Sequence, residues 1–67
     1  MITVSINGVI RQLPNSISIA SLIEDMGLTG KRVALERNGE IVPRSQFTSH
    51  LLADGDKLEI VAAVGGG

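Results

Sequence analysis

Apolar and polar residues alternate at the start of the chain, with Ile2, Val4 and Ile6 on one side and Thr3 and Ser5 on the other. A period of two predicts a strand with one buried face. Asn7-Gly8 follows, and the pair suits a tight hairpin turn whose two central positions both need positive φ. "VIRQL" then returns as a second strand, either face of which reads as the buried one, until Pro14 removes a ladder donor. Beyond it the period changes. Ile19, Leu22, Ile23 and Met26 fall at i, i+3, i+4 and i+7, which predicts a helix over 19–26. Ser18 is its expected N-cap and Gly27 its left-handed closing residue.

The second half returns to a period of two. Val33 and Leu35 oppose Ala34 and Glu36, an Asn38-Gly39 turn leads into a short strand, and Pro43 stops it. "SQFTSHLL" is irregular, with room for one helical turn and with Phe47 as a plug for one end of the core. After the "ADGD" turn, "KLEIVAAV" is the last strand, with Leu58, Ile60, Ala62 and Val64 on one face and Lys57, Glu59, Val61 and Ala63 on the other. The order predicts an α+β fold, a mixed sheet of four to five strands packed on one main helix. The long connection through the helix lets the last strand lie parallel beside the first. This is a β-grasp over residues 1–64, followed by a flexible glycine tail at 65–67.

Composition narrows the function. The 67 residues contain no cysteine, which excludes disulfides, thiolate metal sites and cysteine nucleophiles. Net charge is −1, the six cations (Arg11, Lys31, Arg32, Arg37, Arg44 and Lys57) read as mostly scattered, and Phe47 is the only aromatic residue. A nucleic-acid binder needs a basic face, and a single-strand binder needs stacking platforms as well. The apolar run from Ile60 to Val64 is far short of the about 20 residues that span a bilayer. The N-terminus lacks the plan of a signal peptide. A cytoplasmic, monomeric protein without nucleic-acid or membrane partners is expected.

No catalytic constellation emerges. Asp54 and Asp56 before an alternating strand read as turn chemistry rather than a metal or acid–base pair. His50 has no nucleophile or ligand partner at a useful spacing and reads as a rim residue, and Arg44 reads as a solvated charge. Neither Asn-Gly pair has the spacing or the lysine of a phosphate loop. No metal site is expected, and the chain is not read as an enzyme.

The tail carries the remaining signal. Terminal glycines can simply fray. They can also present the α-carboxylate of Gly67, because residues without Cβ thread a channel that any side chain would block. A β-grasp of this length ending in Gly66-Gly67, with "NGEIVPR" (Asn38 to Arg44) and "DGDKLEIV" (Asp54 to Val61), resembles the sulfur carriers of thiamine biosynthesis, the ThiS family, within the ubiquitin-like proteins. The resemblance covers the whole chain. Two features depart from the family pattern: Phe47 stands where tryptophan is common, and Gly65 makes the tail a triple glycine.

The resemblance implies a carrier that acts as a co-substrate. A ThiF-like adenylyltransferase would use ATP to activate the Gly67 carboxylate, and the carrier itself would hold no cofactor. Sulfur relayed from a cysteine desulfurase would give a thiocarboxylate, and a thiazole synthase of the ThiG type would accept it. Gly65 and Gly66 would be the thread. Three extended residues reach only about 10 Å, so the body must dock directly on each partner. The expected docking surface is the sheet face away from the helix, through Val61 and Ala63, with Val64 leading into the tail. Other readings with this fold are a carrier for a molybdopterin synthase, a protein modifier, and a non-catalytic interaction module.

Overall fold

The computed structural model describes residues 1–63; the expectations for Val64, Gly65, Gly66 and Gly67 lie outside the described residues. Strands β1 (Ile2–Ile6) and β2 (Val9–Leu13) form the first hairpin, helix α1 (Ile19–Asp25) follows, and β3 (Val33–Arg37) and β4 (Glu40–Ile41) form the second hairpin. A 3-10 turn at Arg44–Gln46 precedes β5 (Lys57–Ala62). The sheet order is β2-β1-β5-β3-β4, with β5 parallel to β1 and antiparallel to β3. The expected mixed sheet over one helix is what forms, with five strands. The regular strand stops at Ala62 rather than Val64, although the Ala63 N–H still donates to the Arg32 carbonyl at 2.8 Å.

Local chemistry explains the elements. Asn7 and Gly8 take φ of 51° and 83°, and Asn38 and Gly39 take 52° and 86°, so both Asn-Gly pairs make the turn their sequence suits. The Ser18 hydroxyl accepts from the Ser21 N–H and caps α1. Met26 ends the helix as its C-cap, and Gly27 at φ 72° closes it, donating to Glu24 while Leu28 donates to Ile23.

The helix covers one face of the sheet. Ile19, Leu22 and Ile23 are buried against Val4, Ile6, Leu35, Leu58 and Ile60. Phe47, at the end of the 3-10 turn, is buried in the same core, and its carbonyl accepts from the Ala20 N–H. Each large aliphatic side chain removed from water contributes about 1.5–3 kcal/mol, which is what holds a domain of this size together. The ambiguity over β2 resolves simply. Val9, Ile10, Arg11 and Gln12 are all exposed, because β2 is an edge strand and only Leu13 is half-buried. No helix among the described residues is long and apolar enough to cross a membrane.

Candidate functional site

The strand that leads toward the glycines is the central one, and it is fastened along its length. At its start, Asp56 is buried, and its carboxylate accepts from the Ala53 N–H at 2.8 Å and the Asn38 amide at 3.0 Å. Arg37 completes the arrangement with a guanidinium 2.9 Å from the same carboxylate. Asp54 accepts from the Thr3 N–H at 2.7 Å, so it secures the end of β1. The two aspartates are turn chemistry, as their spacing suggests. Asp56 is in addition a buried ion-pair partner, which its sequence context does not signal.

Burial by itself raises the Asp56 pKa, but hydrogen bonds from Ala53 and Asn38 and the charge of Arg37 outweigh it and hold the group below its ordinary value of 3.8. The carboxylate is therefore more acidic folded than unfolded. Its contribution to stability is present above the unfolded value and is lost as pH falls through the folded one. Urea unfolding over a pH series should show stability declining in that acidic range, and Asp56→Asn should flatten the decline. An unchanged acid slope in that variant would remove Asp56 from the account.

Both asparagines of the Asn-Gly turns reach across to β5. The Asn7 side chain accepts from the Ile60 N–H at 2.8 Å and donates to the Ile60 carbonyl at 3.0 Å, taking the place of a backbone peptide in the ladder. Asn38 accepts from the Lys57 N–H at 2.9 Å. The strand is thus held from both sides by residues that also shape the turns.

Among the described residues nothing covers the face of the sheet away from α1. Val61 on β5 stands opposite Ala34 on β3 and is 68% exposed, and Ala63 is exposed just beyond it. Ile41 and Ile10 are exposed large apolar residues farther out in the sheet. The two candidate docking residues within the described part, Val61 and Ala63, therefore share a shallow depression with Ala34 and Arg32. His50 is half-buried and paired to Gln46 at 3.0 Å, a rim residue as expected, and Arg44 is exposed. Among the described residues no group of three or more His, Cys, Asp or Glu side chains is placed to hold a metal ion.

The ThiS family model matches residues 4–67. The chain belongs to the ThiS family. A segment of thiazole synthase from Paramagnetospirillum magneticum is 47% identical over 92% of this chain, which spans only 19% of that protein's length. The sulfur carrier protein ThiS of Escherichia coli is 32% identical over 75% of this chain and 76% of its own. Among solved structures, the thiamine biosynthesis protein ThiS from Geobacter metallireducens superposes with a TM-score of 0.81 at 26% identity, covering 98% of this chain and all of that one. The β-grasp architecture is therefore that of a ThiS-family structure.

Proposed function

We propose that this ThiS-family chain is a sulfur carrier for thiazole formation in thiamine biosynthesis, with Gly67 as its reacting residue. A carboxylate is a poor electrophile. An adenylating enzyme overcomes this by letting a carboxylate oxygen attack the α-phosphorus of ATP, which expels pyrophosphate. The outer sulfur of a persulfide formed by a cysteine desulfurase then attacks the acyl carbon, and AMP leaves. A thiol reductant cleaves the acyl disulfide so formed, keeping the inner sulfur in a new disulfide. The resulting thiocarboxylate delivers sulfur to a thiazole synthase. The carrier binds no cofactor in this scheme and performs no catalysis of its own.

The observation that carries this reading is the family match running through Gly67, on a body whose last strand, β5, is the central one of the sheet. The thiazole synthase that contains a carrier-like segment adds support, because one polypeptide there joins a sequence of this kind to that activity. The absence of cysteine also fits, since no side chain among these 67 residues offers a thiol to hold sulfur.

The test is mass spectrometry of the chain after incubation with ATP, adenylating enzyme and sulfur donor. Replacement of one terminal oxygen by sulfur, localised to Gly67 by fragmentation, is the expected result. An isopeptide bond to target lysines would establish a modifier instead, and transfer only to a molybdopterin synthase would establish the other carrier role. An untouched terminus would leave an interaction module.

A further inference from the structure

Three of the chain's six cations, Lys31, Arg32 and Arg44, border hollows that meet at Val33, the β3 residue paired with Ala62 at the end of β5. The Ala63 N–H is bound to the carbonyl of Arg32, and Ala62 pairs with Val33, so the segment around Lys31 and Arg32 lies against the root of the tail. Arg32 borders the open-face depression with Val61 and Ala63. On the helix side, Lys31 and Arg44 border a groove of about 280 Å³ whose floor includes Ile23, Val33 and Phe47. Val33 lines both hollows, so they flank the start of β3 from opposite sides. Lys31, Arg32 and Arg44 are all exposed, and among the described residues none of them takes part in an ion pair. Among the described residues Glu24 is the one carboxylate bordering the groove.

We infer that Lys31, Arg32 and Arg44 form a cationic collar around the tail root, and that it docks on an adenylating enzyme whose channel mouth is rimmed with carboxylates and places an apolar side chain in the helix-side groove. This rests on the carrier reading above and names the surface through which it operates. Unpaired cations at a rim raise association rates toward an oppositely charged surface, and the effect weakens with salt. The groove supplies a desolvated anchor beside them. A tail with so short a reach gains from a collar at its root, because orientation and threading are then fixed by one contact.

Adenylation kinetics across a salt series test the collar. Combined Lys31→Gln, Arg32→Gln and Arg44→Gln substitution should lower kcat/KM at low salt by about tenfold or more, within the range of electrostatic steering. It should also flatten the salt dependence and leave kcat at saturation unchanged. Arg11→Gln, on the far edge strand, is the matched single-charge control against Arg44→Gln and should behave as the unsubstituted chain. Thr29 also lines the groove, and Thr29→Trp, which fills it, should weaken binding while preserving the salt slope. Unchanged kcat/KM and slope in the triple variant, or an equal loss in the Arg11 control, would overturn the collar. If the unsubstituted chain is never adenylated, the sulfur-carrier reading fails separately. The collar is then decided by NMR titration with the same enzyme without ATP: shifts at Gly30, Lys31 and Val33 support it, and their absence overturns it.

Discussion

A chain lacking Gly66 and Gly67 is expected to lose adenylation altogether while its Tm stays within a few degrees of the full-length value. Among the described residues every buried core residue lies between Val4 and Ile60, and glycine has no side chain to add to that packing. The shortened chain still ends in a carboxylate, on Gly65. Its failure would therefore report position rather than presence. Two extended residues amount to about 7 Å of reach, and a misplacement of about 1 Å at a reacting centre already costs on the order of a hundredfold. Calorimetric melting together with AMP release checks both halves. A large fall in Tm would make the glycines structural, and retained adenylation would move the chemistry away from Gly67.

The second large effect is expected from Val61→Asp. Val61 is exposed on the open face, so the substitution meets solvent in the free protein, where such changes usually cost within about 0.5 kcal/mol. Against a partner enzyme the new carboxylate would be desolvated in an apolar contact, with Glu59 on the same face and only the exposed Arg32, a solvated cation at the rim of the depression, near it. Burying an unpaired charge costs several kcal/mol in real proteins. At about 1.4 kcal/mol per factor of ten, a loss of about 3 kcal/mol raises Kd for the adenylating enzyme by roughly a hundredfold. Titration calorimetry with a variant shown to be folded by circular dichroism provides the check. An unchanged Kd would place the interface elsewhere.

The strands, the helix and its cap were legible because each rests on short-range pattern. Two-residue alternation around Val4 and Leu35, the Ile19–Met26 stripe and the Asn-Gly pairs specify local geometry without reference to distant residues. The long-range features were not. Asn7 bonds to a residue 53 positions away, and Asn38 reaches one 19 positions away, so nothing local distinguishes either from a turn former. Asp56 is buried because the second hairpin brings Arg37 and Asn38 over it. The cations form a cluster only once β3 lies against β5 and the 3-10 turn folds beside the helix. Val61 could be read as an apolar residue facing away from the core, since strand alternation alone put it there.

The placement of β5 also governs how the domain responds when its end is held. Hydrogen bonds in a sheet cross between strands, perpendicular to them in antiparallel pairs and slanted in parallel ones. Tension drawn along β5 from its C-terminal end therefore loads those bonds together, in shear, against β1 on one side and β3 on the other. The Asn7 amide adds two more attachments at Ile60. A terminus leaving from an edge strand such as β2 could be peeled away one bond at a time. An enzyme that gripped the chain beyond β5 and pulled would therefore meet resistance from strands on both sides of β5, and the body would follow without unravelling.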